Sequence, residues 1–242
     1  MRGYSPPFDG PKDMRRVGYY DDGHDGSIDS EASVERGTRV QASGARAKMV
    51  KGAADMLSRR GLNATTVREL AKHIGTPLGS TYHYFPGGKE QLVSEAVKWA
   101  GDELARSLTE YLKMGPVAGL EAFLLMWQVA VADSDFQAGC PVAAASVEFD
   151  ESTPGRGAAT VAAEVFASWE RLLAESLTRD AGVEVETARQ LATFVVATIE
   201  GAVMLCRANR SIGPLTDSSV QLLRMIRLAI ETSALPTETS AS

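Results

Sequence analysis

From Ser43 the apolar residues fall at helical spacing, with Ala47, Val50, Ala53, Ala54 and Leu57 on one face and Arg46, Lys48, Lys51, Arg59 and Arg60 mostly on others. Gly61 closes this first helix as a C-cap. Thr66 followed three residues later by Glu69 forms a capping box, which starts a second helix with the buried stripe Leu70, Ala71 and Ile74 before Gly75 stops it. Thr76 as N-cap and Pro77 at the first helical position open a short third helix, Leu78 to about Tyr84. Phe85-Pro86-Gly87-Gly88 breaks it, and Lys89 begins a long helix to Met114 carrying Leu92, Val93, Ala96, Val97, Ala100, Leu104 and Leu108 on one face.

Beyond Gly115-Pro116 the pattern predicts helices over Val117–Ala132, around Ala143–Phe149, and over Arg156–Arg179, Val185–Asn209 and Thr216–Leu235, separated by stretches rich in Gly, Pro or short polar residues. No strand pattern competes. The expected fold is all-α: an N-terminal three-helix module in residues 39–92, whose second and third helices meet at Gly75 as a helix-turn-helix, joined by a long helix to a C-terminal helical bundle within 93–242. Residues 1–38 are rich in Gly, Asp, Ser and Pro without apolar periodicity and read as a disordered tail.

Charge sharpens this division. The 242-residue chain carries a net charge of −6, yet residues 39–90 hold nine basic and only three acidic side chains. An acidic protein with one basic block is the asymmetry expected when a single module faces a polyanion.

The residues in that block form a recognisable constellation. Thr65-Thr66-Val67-Arg68-Glu69-Leu70-Ala71, Ile74-Gly75, Gly79-Ser80-Thr81-Tyr82-His83-Tyr84-Phe85-Pro86 and Lys89-Glu90-Gln91-Leu92 together resemble the DNA-binding domain of tetracycline-repressor (TetR)-type regulators over residues 44–92. The resemblance implies a double-stranded operator as partner. It places at the DNA Arg46, Lys48, Thr65, Thr66, Arg68, Thr76, Pro77, Leu78, Gly79, Ser80, Thr81, Tyr82, His83, Tyr84 and Lys89. Phosphates are held by cations, short polar side chains and helix N-termini, whereas base edges in the major groove are read by the exposed face of the third helix. Gly79 lets backbone approach the duplex, and Tyr84 and Phe85 also suit a packing role. Pro77 and Leu78 depart from the commoner polar choices, so no relative's base preference transfers.

The resemblance further implies an effector cavity among the later helices, accepting an apolar or aromatic small molecule. Candidate lining residues are Phe123, Met126, Trp127, Phe136, Cys140, Phe149, Phe166, Trp169 and Met204. Phe136-Gln137-Ala138-Gly139-Cys140-Pro141-Val142 resembles a Gly-Cys-Pro segment of the branch related to lincomycin- and flavonoid-responsive repressors. The last two helices, by the same resemblance, pair with their copies in a homodimer through Ile199, Ala202, Val203, Leu222, Met225 and Ile226. Two recognition helices then meet half-sites about 34 Å apart on a palindromic operator.

Enzyme classes find little purchase. His24, His73 and His83 all precede the bundle, leaving it without imidazole for acid–base work, and GxSxG, HExxH, Walker A and GxGxxG patterns are absent. Cys140 and Cys206 are the only cysteines, so neither a disulfide framework nor a CxxC metal site is expected, and no cofactor or metal is implied. No greasy leader and no apolar run of about 18 residues is expected, which points to the cytoplasm and away from membranes. A ligand-independent DNA-binding or protein-interaction module fits the same residues if the bundle core is filled.

Overall fold

The computed structural model describes residues 31–147 and 157–234, and all its regular elements are helices. They are α1 (Glu31–Ala64), α2 (Val67–Ile74), α3 (Leu78–Tyr84), α4 (Gly88–Leu112), α5 (Pro116–Asp133), α6 (Pro141–Val147), α7 (Gly157–Ala181), α8 (Val185–Asn209) and α9 (Gly213–Ser233). The chain falls into two units, 1–43 and 44–242. The described part of the first unit is helical from Glu31, ahead of the expected end of the tail at residue 38; residues 1–30 lie outside the described residues. The second unit holds the expected module 93–242 together with residues 44–92 of the expected module 39–92.

Local chemistry sets the helix ends. Gly61 leaves helical geometry at φ 78° and ψ 178°, so the α-helical run from α1 breaks where a C-cap glycine was expected. The Thr66 side chain accepts the Glu69 N–H at 3.1 Å, a cap worth about 1 kcal/mol. Gly75, at φ 67°, occupies the left-handed region that closes α2 and turns the chain into α3. The third helix spans Leu78–Tyr84 as expected, with Pro77 rather than Thr76 at its N-cap and no side-chain cap; the Thr76 N–H is given to the Ala71 carbonyl at 2.9 Å. At the head of α4 Gln91 Oε1 accepts the Gly87 N–H at 2.9 Å, a cap the sequence pattern did not disclose.

In the bundle, α4 packs along α7, α7 against α8, and α8 against α9, which also reaches α5. One continuous apolar core runs from Met49 and Leu57 in α1 through Leu92, Val97 and Leu108 in α4 to Trp169, Val203 and Ile226. Two glycines allow close approaches. A Cβ on Gly101 of α4 would lie 2.5 Å from both Val165 methyls, and one on Gly119 of α5 would meet the Tyr111 carbonyl oxygen at 2.6 Å.

Helices α5 and α8 are each long and apolar enough to cross a membrane by length and composition, which corrects the expectation that no segment would be. Leu120, Phe123, Leu124 and Trp127 of α5 and Val195, Ile199, Ala202 and Val203 of α8 are buried in the bundle, while Leu125 of α5 and Phe194, Met204 and Leu205 of α8 are exposed.

Candidate nucleic-acid interface

The helix-turn-helix presents a compact outer surface. Lys48 of α1, Thr66 and Arg68 at the head of α2, and Pro77, Leu78, Gly79, Tyr82 and His83 on α3 are exposed, and Thr76, Ser80, Tyr84 and Lys89 are partly so. Tyr82 and Leu78 are 56% and 42% exposed, so both side chains are open to a partner. Space around Gly79 is open, and a Cβ there would meet nothing within 4 Å. Arg68 and Lys89 stand in the first turns of α2 and α4, where the positive end of the helix dipole disfavours a cation. An anion at these ends turns that local cost into attraction, which makes both positions suited to phosphate.

Three of the residues expected at the DNA also serve the packing of the module. Thr65 is 1% exposed and its hydroxyl donates to the Gly61 carbonyl at 2.8 Å, bracing the turn before α2. Thr81 is fully buried on the inner face of α3 with no partner for its Oγ1. Arg46 pairs with Glu95 at 2.6 Å and lies over the Phe85 ring at 5.0 Å, so its guanidinium joins α1 to α4. The periodicity of α1 put Arg46 on a polar face but gave no view of Glu95, 49 residues away.

His73 of α2 pairs with Asp55 of α1 at 3.1 Å. Asp55 also accepts from Arg59 Nε at 2.8 Å, so one carboxylate links α1 and α2. Phe85 is fully buried and anchors the end of α3, while Tyr84 makes an edge-on contact with His83 at 5.3 Å between ring centroids.

Among the expected effector residues, Phe123, Trp127, Cys140 and Trp169 are buried, and Met126, Phe136 and Phe166 are half-buried against the same core. Phe166 and Trp169 meet edge to face at 5.4 Å, and the Trp169 indole donates to the Gly101 carbonyl at 3.1 Å. Met204 does not belong with them: it is 62% exposed on the outer side of α8. Phe149 lies outside the described residues. Two surface grooves of about 560 and 590 Å³ run along α7, one beside Val185 and Arg189 of α8 and the other beside Thr109 and Leu112 of α4. None of the expected effector residues lines either groove.

Burial drives the Cys140 thiol well above its usual range, so the reactive thiolate is disfavoured. Burial raises the nearby Glu200 carboxyl to about 7.

On α8 and α9 the residues expected at the dimer interface point mostly inward. Ile199, Ala202, Val203, Leu222 and Ile226 are buried within the protomer, and only Met225 of that set is exposed. The outer faces of the same helices carry exposed Phe194, Met204, Leu205, Val220 and Leu228. Both faces of these helices are apolar, and the sequence pattern did not distinguish the inner from the outer one.

Comparison with known proteins accounts for both halves. Residues 49–96 match the family described as bacterial regulatory proteins of the tetR family, and residues 116–221 match the C-terminal domain of LmrA/YxaF-like transcriptional regulators. An HTH-type transcriptional regulator of Mycobacterium tuberculosis is 40% identical over 189 residues, covering 77% of this chain and 95% of that protein. The regulator YxaF of Bacillus subtilis is 31% identical, over 75% of this chain and 95% of its own length. The same fold occurs in a TetR regulator from Rhodobacter sphaeroides, at 22% identity and a TM-score of 0.65, covering 73% of this chain and 96% of that one. A TetR-family regulator from Agrobacterium tumefaciens superposes with a TM-score of 0.66 at 22% identity, covering 76% and 98%. These relatives are regulators of transcription and not enzymes.

Proposed function

The chain belongs to the TetR family of bacterial transcriptional regulators, and from that premise we propose that it is a cytoplasmic, homodimeric repressor released from a palindromic operator by a small apolar or aromatic effector. The observation that carries this reading is the exposed face of α3, where Pro77, Leu78, Gly79, Tyr82 and His83 stand beside Arg68 with large side chains uncovered. Arg68, Thr66 and Lys89 fix the module on phosphates, and the α3 face enters the major groove. Thr65, Thr81 and Arg46 support that surface from behind.

Exposed Met204, Leu205, Val220, Met225 and Leu228 on α8 and α9 supply the dimer face in this reading. An effector that enters among Phe123, Trp127, Phe166 and Trp169 acts on α4, whose Gly101 carbonyl holds Trp169. A displacement of α4 changes the spacing of the two recognition helices. A coupling of about 1 to 3 kcal/mol weakens operator binding about 5- to 150-fold.

Selection of genomic fragments with purified protein, followed by footprinting and titration at two salt concentrations, tests the reading. A tight, salt-sensitive palindromic site supports it; binding indifferent to sequence removes it. The burial of Phe123, Trp127 and Trp169 also favours a second reading, a filled core and a ligand-independent DNA-binding module. A panel of apolar ligands that leaves the denaturation midpoint unmoved selects that reading over the first.

A further inference from the structure

The end of α1 is gripped by the effector bundle at a place distant in sequence from the long connector. The buried N–H of Gly139, in the loop before α6, donates to the Ser58 carbonyl at 2.9 Å. Arg207, near the end of α8, donates through Nη2 to the neighbouring Arg59 carbonyl at 3.2 Å, across 148 residues. Both acceptors lie just before the break at Gly61. Carbonyls at a helix end run short of intrahelical donors and carry the negative end of the dipole, so a guanidinium there is doubly favoured.

The grip has a defined construction. Arg207 crosses Gly139 so closely that a Cβ on Gly139 would lie 2.7 Å from Nη1 and 3.1 Å from Cδ. Gly139 thus lies against Arg207 of α8 on one side and is bonded to α1 on the other. From Arg59 the connection continues inside the module, because its side chain bonds Asp55 and Asp55 bonds His73 on α2.

We propose that Arg207 is a positioning residue for DNA recognition, and that Gly139 and Arg207 form a second joint through which α8 sets the orientation of α1 and α2, in parallel with α4. The proposal rests on the regulator reading above. It assigns Gly139 a steric task, leaving room for the arginine, and Arg207 an electrostatic one. A shift of α8 or of the 139–140 segment is then felt at the helix-turn-helix without passing through residues 88–112.

The test uses full-length protein and the duplex that wild-type protein selects from genomic fragments. Arg207→Ala is expected to lose affinity for that duplex about 5- to 150-fold, the range of ordinary site-to-site coupling. Gly139→Ala should displace the guanidinium and reproduce the loss, and the double variant should be no weaker than either single one, the signature of two residues acting as a unit. Arg207→Lys, which keeps a cation and a donor, should recover part of the affinity. Amide exchange across residues 59–65 should quicken in both single variants without DNA, while the denaturation midpoint of Gly139→Ala stays near wild type. Wild-type affinity in either single variant, or additive losses in the double variant, would overturn the joint. If wild-type protein selects no duplex, the regulator reading fails and the positioning role with it, whereas unchanged exchange at 59–65 overturns the joint alone. Should Arg207→Ala not fold, Gly139→Ala carries the same comparison.

Discussion

The indole N–H of Trp169 donates to the backbone carbonyl of Gly101 at 3.1 Å, in a buried contact that fixes α7 to the middle of the connector helix α4. Gly101 permits the approach, since a side chain there would meet both methyls of Val165 at 2.5 Å. Gly101→Ala is therefore expected to destabilise the protein by about 1 to 3 kcal/mol, the usual cost of overpacking a filled core. Chemical denaturation measures it. Adding Val165→Ala should recover part of the loss, and a double variant no better than Gly101→Ala would mean that the strain lies elsewhere.

Arg68 and Arg46 are expected to behave differently although both are basic residues of the same module. Arg68 is exposed in the first turn of α2, so Arg68→Ala should weaken binding to all duplexes alike. In a dimer the slope of log affinity against log salt should then fall by about two, since each phosphate that no longer meets a cation takes away about 0.9. Arg46 is tied to Glu95 and Phe85, so Arg46→Ala should leave that slope unchanged and lower stability by about 1 kcal/mol. Titrations at several salt concentrations, with denaturation of the same variants, separate the two roles. A reduced slope for Arg46→Ala would return it to the phosphates.

Much of this was legible because the helix-turn-helix is written in local signals. Thr66, Gly75 and the break after Tyr84 act within a few residues of themselves, and the structure puts the ends of α2 and α3 within about a residue of where those signals fall. What the sequence hid is long-range. Arg46 with Glu95, His73 with Asp55, and Arg207 with the Arg59 carbonyl join residues whose separation carries no periodic trace. Thr81 misled for a related reason, since a motif names a helix and only packing decides which of its faces is turned to the core. The same ambiguity bears on the residues expected at the dimer face: Ala202 and Val203 are core, and Met204 and Leu205, next along the chain, are outside.

That ambiguity gives a direct test of assembly. Met204 is 62% exposed on α8, where Leu205 is exposed too, as are Val220 and Leu228 on α9. Met204→Asp leaves the protomer core untouched and places a charge where a second copy is expected to pack. Sedimentation should show a folded monomer, and duplex affinity should fall because each half-site is then bound alone. A variant that remains dimeric would move the interface off this face.

Glu200 makes stability depend on pH in a direction opposite to that of most carboxylates. Burial raises its pKa from 4.5 to about 7 in the folded protein, and the neighbouring Cys140 thiol acts against the rise. The folded state therefore holds this proton more tightly than the unfolded state. The contribution is fully present below about pH 4.5 and is lost as pH rises through about 7; above that it is gone and the curve is flat again. The size is on the order of 3 kcal/mol, from about 1.36 kcal/mol per unit. Glu200→Gln, which cannot ionise, should erase this slope between about pH 5 and 8 and leave the variant more stable than wild type at the upper end. Denaturation midpoints measured across that range decide it: parallel curves for the two proteins would show that the Glu200 carboxyl titrates normally and that water reaches it beside Cys140.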